Sequence, residues 1–163
     1  MTKLKSREEI AAAYDSPPWW YDVRGFFILT FAYNSTLGRQ LRLFGPNFGP
    51  RHLEVACGTG TLLGLLLRWR KRRGLPEVQI VGIDYAESML AGAIRRFAGN
   101  PKVELRHADA AALPYPDAAF DTANCANAVH CFPDVDAALK DIYRVLKPGA
   151  TFAANVLLYP RGP

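Results

Sequence analysis

Apolar and polar residues along the second two thirds of the chain follow two alternating patterns. Short apolar runs are each followed by a longer segment in which apolar residues recur every third or fourth position. The first pattern is typical of strands and the second of helices. Together they predict strands at Leu53–Ala56, Val78–Ile83, Val103–His107, Thr122–Ala126 and Thr151–Leu157, and helices at Thr61–Arg73, Ala86–Phe97 and Asp134–Leu146.

This alternation of strand and helix indicates an α/β fold. Strands that are connected through helices lie parallel in one open sheet, and the helices cover its faces. We therefore expect residues 49–163 to form one α/β domain. Ligands of such sheets bind beyond the carboxyl ends of the strands.

The first 48 residues have a different pattern. Residues 6–15 begin with the spacing of a capping box, which predicts a short helix. The segment "SPPWWYD", Ser16–Asp22, is expected to break that helix. Apolar residues within Val23–Phe44 recur at helical spacing, and Gly45–Pro50 reads as a linker. We expect residues 1–48 to form a helical segment that acts as a lid over the site.

The composition is that of an ordinary globular domain. Of the 163 residues, 50% are hydrophobic and 21% are charged. No apolar run reaches the roughly 20 residues of a membrane helix, and the charges near the N-terminus do not fit a signal peptide. The three cysteines lack the spacing of metal ligands. We therefore expect a cytoplasmic protein with reduced thiols, no transmembrane segment and no metal.

The net charge of +5 raises the question of a nucleic-acid partner. Much of the excess lies in "RWRKRR", Arg68–Arg73, at the end of a predicted helix, where cations complement the helix dipole. No groove-reading motif accompanies it, so we expect solvated cations and no nucleic acid. An RNA-modifying enzyme remains an alternative, which a steep salt dependence of RNA binding would reveal.

A glycine-rich turn separates the first strand from the first of its helices. Gly58, Gly60 and Gly64 have a spacing close to that of dinucleotide-binding turns, in which backbone N–H groups at a helix N-terminus face the ligand. Asp84, at the end of the second strand, lies near the distance at which a carboxylate binds ribose hydroxyls. Both NADP and S-adenosylmethionine carry an adenosine that fits this arrangement.

Acidic residues separate these two ligands. Glu54 lies in the strand just before the glycine turn, where it would repel a diphosphate and attract an ammonium or sulfonium group. Asp109 follows the third strand and is suited to accept a hydrogen bond from an adenine amino group. The charges therefore favour S-adenosylmethionine, and an NADP-dependent oxidoreductase is the weaker alternative.

Four segments in succession resemble the motifs of class I S-adenosylmethionine-dependent methyltransferases: "LEVACGTG", "GIDYAESML", "ADAAALPYPDAAFDTANCANAVHCFPD" and "IYRVLKPGA". They are most similar to the type 11 branch, which includes quinone C-methyltransferases and many small-molecule methyltransferases. The resemblance covers about Arg51 to Val156. It implies a Rossmann-like, mostly parallel sheet of strand order 3-2-1-4-5, methyl transfer to a small-molecule acceptor, and S-adenosylhomocysteine as a product.

The resemblance also implies roles for single residues. Glu54 would lie near the amino group of the methionine part, Asp84 would bind the ribose hydroxyls, and Asn124 would lie beside the sulfonium. Ala56 stands where the family often has Gly. The resemblance implies further contacts around the methionine part, from Ala56, Cys57, Gly58 and Gly60. It also places Tyr85 and Met89 on the two sides of adenine, and Asp109 and Ala110 at the polar edge of adenine.

Residues for the methyl acceptor are less well defined. His130 falls where the family often has a His in the loop after the fourth strand, and it is the candidate catalytic base; a solvated loop His is the alternative. Trp19 and Tyr21 are candidate substrate contacts, although aromatic residues of a helical segment also serve for packing. Cys57 is more simply a small apolar filler than a nucleophile.

The predicted fifth strand is the last one in the chain, whereas the resemblance implies two further strands. The segment "TFAANVLLY" would then form an apolar sheet edge that is open to pairing with another chain. We therefore expect either a homodimer through this edge or a monomer that is prone to aggregate. A module that binds S-adenosylmethionine without catalysis is the alternative to an active enzyme.

Overall fold

The computed structural model describes residue 9, residues 18–27 and residues 36–156. These residues form five helices and five strands, with a short 3-10 turn at Val129–Cys131. The helices are α1 (Pro18–Phe27), α2 (Leu37–Phe44), α3 (Thr61–Arg72), α4 (Glu87–Arg96) and α5 (Val135–Val145). The strands are β1 (Arg51–Val55), β2 (Gln79–Asp84), β3 (Val103–His107), β4 (Phe120–Cys125) and β5 (Leu146–Ala154).

The strands form one parallel sheet in the order β3-β2-β1-β4-β5. This confirms the predicted fold class and strand order. In the register, Glu54 of β1 lies between Gly82 of β2 and Asn124 of β4. The carboxyl ends of β1, β2 and β4 therefore meet at one edge of the sheet, where the glycine turn also begins.

Two apolar layers cover the two faces of the sheet. One layer packs Leu53 and Val55 of β1 against Ile142 and Val145 of α5. The other packs Ile80 of β2 against Phe44 of α2, Phe48 of the linker that follows α2, and Leu63 and Leu66 of α3. Because side chains alternate along a strand, His52 and Glu54 of β1 lie on the α3 side of the sheet.

The basic run at the end of α3 is only partly solvated. Arg70 is 6% exposed, and its guanidinium donates hydrogen bonds to the carbonyls of Gly45 (2.9 Å) and Pro76 (3.1 Å). It also lies 4.8 Å from the centroid of the Phe48 ring. The expectation that all these cations are solvated is therefore wrong for Arg70, which ties the end of α3 to the linker before β1.

The N-terminal region differs from its predicted pattern. The segment expected to be a helix break, Ser16–Asp22, is helical from Pro18 onward, because proline fits the first position of a helix. The apolar periodicity of Val23–Phe44 belongs to two helices, since α2 begins anew after Thr36, whose hydroxyl accepts from the N–H of Arg39. The predicted helix over residues 6–15 lies outside the described residues apart from Glu9, which is helical.

The last strand begins earlier than its predicted start at Thr151. Phe120 of β4 pairs with Leu146 of β5, and the next pair is Thr122 with Thr151. The residues of β5 between these two pairs form an irregularity in the ladder. Pro148 cannot continue the preceding helix, and Gly149 has a φ of 79°. The helix pattern therefore stops at Val145 rather than at the predicted Leu146.

Among the described residues, no helix combines the length and the apolar character needed to cross a lipid bilayer.

Candidate cofactor site

The chain passes from β1 into α3 through a tight turn over residues 56–60. Ala56, Gly58 and Gly60 all have left-handed φ angles, of 53°, 56° and 71°. The N–H of Cys57 donates to the carbonyl of Ile83 on β2 (2.9 Å), and the N–H of Gly60 donates to the carbonyl of Cys57 (3.0 Å). The turn is therefore fixed by its own backbone and by the neighbouring strand.

The two glycines of this turn have different surroundings. A Cβ added at Gly58 would meet no atom within 4 Å, so the space above this residue is open. A Cβ at Gly60 would come within 2.7 Å of the Phe97 ring and 3.2 Å of the Ala93 side chain. Gly60 therefore allows α3 to approach α4, whereas Gly58 presents bare backbone to an open space in which a ligand has room.

The carboxylate of Asp84 connects the turn to the end of β2. One oxygen accepts from the N–H of Gly58 (2.7 Å) and the other from the N–H of Ala86 (2.9 Å). Burial raises the pKa of this carboxyl, although both backbone donors act in the opposite direction. Since a carboxylate offers about four acceptor positions, Asp84 has capacity for further hydrogen bonds to a ligand.

Glu54 lies in β1, two residues before Ala56, with 3% of its surface exposed. Its Oε2 is 3.2 Å from Nε2 of His52, which is fully buried. The other ring nitrogen of His52 is 2.8 Å from the hydroxyl of Thr122 on β4. His52 was not predicted from the sequence, because a lone His in a strand pattern is more often a core residue.

Asn124 follows this group on β4 and is also fully buried. Its Oδ1 accepts from Nδ2 of Asn47 (2.9 Å), which donates to the carbonyl of Ala123 as well. These contacts fix which end of the Asn124 amide faces Asn47. Its Nδ2 has no hydrogen-bond partner among the described residues. A buried donor of this kind is costly in a native fold, and its presence beside Glu54 is consistent with a ligand-binding region.

The residues predicted around adenine lie just after the ends of β2 and β3 and, for Met89, in the first turn of α4. Tyr85 is 37% exposed, and its ring centroid is 5.3 Å from that of His107. His107 Nε2 also donates to the carbonyl of Tyr85 (2.9 Å). This hydrogen bond ties the residue after β2 to the end of β3. Met89 is 2% and Ala110 is 7% exposed, so both lie within the protein interior.

Asp109 forms a turn with the residues that follow it. Its Oδ1 accepts from the N–H of Ala111 (2.9 Å), and its carbonyl accepts from the N–H of Ala112. This arrangement is an Asx turn after β3. It places the carboxyl group at the carboxyl end of the sheet, beside Ala110.

His130 lies in the 3-10 turn after β4 and is exposed. Neighbouring protein atoms still displace part of the solvent around its imidazole and lower its pKa, which favours the neutral, proton-accepting form. The three cysteines are free thiols. Burial, reinforced by the charges of Asp84 and Glu54, raises the pKa of the Cys57 thiol, which fits a packing role and not that of a nucleophile.

A contact between α1 and the glycine turn is absent from the sequence prediction. Asp22 of α1 accepts from the hydroxyl of Thr59 (2.7 Å) and from that of Thr61 (2.6 Å). Arg96 of α4 donates to Thr61 Oγ1 (2.6 Å) and to the carbonyl of Thr59 (3.1 Å), and lies 3.4 Å from Asp22. The sequence pattern placed Asp22 in a helix break. The hydroxyl groups of Thr59 and Thr61 were the only feature of the sequence that could have indicated a polar partner for the turn.

The remaining predicted residues are not brought into this cluster by described contacts. Trp19 and Tyr21 lie in α1, but their side chains are outside what the structure describes. In the described ranges, no three His, Cys, Asp or Glu side chains come together as metal ligands. The site is thus a backbone turn flanked by two carboxylates, suited to a ligand that has both cationic and hydroxyl groups.

The chain is similar in sequence to known methyltransferases. A family model described as a methyltransferase domain matches residues 53–154. The chain is 42% identical over 114 residues to demethylmenaquinone methyltransferase of Thermus thermophilus, which covers 69% of this chain and 49% of the relative. It is 37% identical over 111 residues to the Staphylococcus aureus protein of the same name, covering 68% of this chain and 44% of that one. The chain thus spans about half the length of the curated relatives it matches.

Solved structures show the same fold. The [4+2]-cyclase SpnF is 31% identical, with a TM-score of 0.59, over 72% of this chain and 43% of the cyclase. A protein of Methanococcus maripaludis described as a putative S-adenosyl-L-methionine-dependent methyltransferase has a TM-score of 0.65 over 96% of this chain and 67% of that one. At 17% identity, the latter shows the fold alone.

The left-handed conformation of Ala56 gives a first prediction. A Cβ in this region costs about 1–2 kcal/mol, a cost that glycine avoids. We expect Ala56→Gly to raise the free energy of unfolding by about 1 kcal/mol in urea denaturation. The control is Ala112→Gly, at an exposed position with negative φ, which should lower stability through backbone entropy. A loss of stability in Ala56→Gly would contradict the strain at this turn.

Proposed function

Because the chain belongs to the methyltransferase-domain family of class I S-adenosylmethionine-dependent enzymes, we propose that it transfers a methyl group from S-adenosylmethionine to a quinone-type small molecule. The observation that carries the proposal is the pair of carboxylates, Glu54 and Asp84, on the two sides of a glycine turn at the carboxyl end of the sheet. The cofactor that the family implies supplies an activated methyl group on a sulfonium.

The residues at the turn are compatible with this cofactor. The buried carboxylate of Glu54 suits the ammonium of the methionine part, because an anionic group in a poorly solvated position attracts a cation strongly. Asp84 retains acceptor capacity for two ribose hydroxyls. In this proposal Ala56, Cys57, Gly58 and Gly60 border the methionine part.

The adenine end of the cofactor is assigned to the next two strand ends. Tyr85 and Met89 flank the ring, and Asp109 with Ala110 meets its polar edge. The exposure of the Tyr85 ring supports its part of this assignment. Asn124 is assigned to the region of the sulfonium, where its buried Nδ2 is able to donate a hydrogen bond.

The acceptor is proposed from the relatives named demethylmenaquinone methyltransferase. A reduced quinone ring is electron-rich, so one of its carbons acts as the nucleophile. The new C–CH3 bond forms as the S–CH3 bond breaks, and the ring carbon then loses its proton. His130 is the candidate to accept a proton from the acceptor, since its lowered pKa favours the neutral imidazole. Trp19 and Tyr21 are proposed to contact the ring system.

The N-terminal segment, residues 1–48, is proposed to act as a lid. The hydrogen bonds from Thr59 and Thr61 to Asp22 support this role, because they join α1 to the turn that borders the cofactor. A lid that excludes water and aligns the acceptor contributes to rate mainly through orientation.

A second candidate function is cofactor binding without methyl transfer. The [4+2]-cyclase SpnF, at 31% identity, carries a name that describes no methyl transfer. In this second case the present chain would bind S-adenosylmethionine yet transfer no methyl group to any acceptor.

Cytoplasmic location and the lack of a nucleic-acid partner remain predictions from composition and charge.

The proposed function is tested first by cofactor binding and turnover. Calorimetric titration should detect S-adenosylhomocysteine binding, and Asp84→Ala should weaken it at least about tenfold, because the variant loses charge-assisted hydrogen bonds. Asp136→Ala, at an exposed carboxylate on α5, is the matched control and should bind normally. Radiolabelled methyl transfer to a reduced naphthoquinone with an unsubstituted ring position should then be measurable.

Each arm has its contrary outcome. Absence of S-adenosylhomocysteine binding would reject the cofactor assignment. Binding with no methyl transfer to the naphthoquinol would reject the proposed acceptor and favour the second candidate function.

The lid is tested at Asp22. An Asn at this position offers one acceptor oxygen in place of two, so Asp22→Asn should loosen α1 from the threonine hydroxyls. We expect trypsin to cleave after the exposed Arg24 several-fold faster in the variant, and S-adenosylhomocysteine to slow that cleavage in the unaltered protein. Asp136→Asn should leave the cleavage rate unchanged. Equal cleavage of Asp22→Asn and the unaltered protein would contradict the lid.

Association through β5 is the last part of the proposal. Within the described ranges β5 has β4 as its only neighbour in the sheet, and unpaired edges favour strand pairing between chains. We expect a homodimer in light scattering, and a shift towards monomer in Ala154→Lys, which adds a charge to the edge. A monodisperse monomer at high concentration would contradict this expectation.

A further inference from the structure

A group of polar side chains interrupts the apolar layer on the α3 side of the sheet. His52 and Asn124 are fully buried, and Glu54 is 3% exposed. They lie on the adjacent strands β1 and β4, with Glu54 directly opposite Asn124. Above and below them the same face packs apolar side chains, so the group is a local exception that packing alone does not explain.

These side chains form a directed chain of hydrogen bonds. The N–H of Gly49 donates to the hydroxyl oxygen of Thr122 (2.7 Å), and this hydroxyl is 2.8 Å from Nδ1 of His52. Nε2 of His52 is 3.2 Å from Oε2 of Glu54. A carboxylate oxygen accepts, so the hydrogen bond at this contact is donated by Nε2–H of His52. In the tautomer with its proton on Nε2, Nδ1 accepts from the Thr122 hydroxyl, and the chain of hydrogen bonds runs from Gly49 to Glu54.

The His52 ring is held in place by more than these bonds. It stacks on Phe48, with 3.9 Å between ring centroids and an interplanar angle of 26°. Phe48 belongs to the apolar layer formed with α2 and α3. The imidazole is thus fixed on its face by packing and at both nitrogens by hydrogen bonds, which leaves it no freedom to turn away from Glu54.

We propose that His52 is a positioning residue, which holds the buried Glu54 carboxylate in the orientation that binds the ammonium group of the cofactor's methionine part. This inference rests on the proposed function, because it requires the cofactor to occupy the glycine turn. His52 occupies Oε2 and fixes the side chain, and the acceptor capacity of Oε1 is used for the ligand. A carboxylate fixed in advance loses less entropy on binding.

The inference is tested with two ligands that differ only in the part that Glu54 contacts. S-adenosylhomocysteine carries the amino acid group, whereas 5′-methylthioadenosine has a methyl group in its place. In His52→Leu the ring and its hydrogen bonds are lost, but an apolar side chain still fills the position. We expect S-adenosylhomocysteine to bind about tenfold more weakly and 5′-methylthioadenosine to keep its affinity within about twofold, as measured by calorimetry.

Further variants separate positioning from a general structural role. Glu54→Gln should give the same selective loss, and adding His52→Leu to it should weaken binding no further, since the two residues act in series. Thr122→Val removes the hydroxyl while keeping the side-chain shape, so it should give a smaller loss of the same selectivity. It also provides the test if His52→Leu does not fold. Leu53→Ala, which disturbs the opposite face of the sheet, should lower the melting temperature without changing the ratio of the two affinities.

The outcomes are distinct. Three results would overturn the inference while leaving the cofactor assignment intact. The first is that His52→Leu weakens the binding of both ligands equally, and the second is that neither His52→Leu nor Thr122→Val weakens binding. The third is that the losses of affinity in His52→Leu and Glu54→Gln are fully additive. Failure of the unaltered protein to bind either ligand would overturn the proposed function, and with it this inference.

Discussion

The turn from β1 into α3 is the constraint on which the rest of the site depends. The chain must leave a strand buried on both sides and enter a helix within a few residues, and it does so through left-handed positions at Ala56, Gly58 and Gly60. The N–H groups of Cys57 and Gly58 are taken up by Ile83 and Asp84 on the neighbouring strand. Because the turn is bonded to β2, the Asp84 carboxylate and the glycine backbone have one fixed spacing.

Charge is organised around this turn in an unusual way for an anion-binding motif. Backbone N–H groups at a helix N-terminus ordinarily attract phosphates. Here one buried carboxylate comes just before the turn and another accepts from its backbone, so the local field favours a cation over a phosphate. In the proposed function, these two acidic side chains select a sulfonium ligand for a loop whose geometry serves dinucleotides elsewhere.

The sequence predicted most of the strands and helices, because each has a strong apolar period of its own, and the strand order followed from the resemblance to a known family. It was wrong where tertiary contacts decide the outcome. Arg70 is buried by two carbonyl acceptors that lie in other segments, and Asp22 becomes part of a helix joined to the turn. The chain of hydrogen bonds through His52 was likewise not predicted, since its members come from β1, β4 and the linker before β1. Periodicity reports burial along one element, whereas these contacts join elements.

The close approach of α3 and α4 at Gly60 has an evolutionary consequence. The space for a side chain at position 60 is taken by the ring of Phe97 and by Ala93. Ala56 demonstrates that this turn tolerates a methyl group at a left-handed position where room exists. The restriction at position 60 is therefore one of volume in addition to backbone angle. Homologous sequences are expected to enlarge position 60 only together with a smaller residue at position 97, so the two positions should vary as a pair.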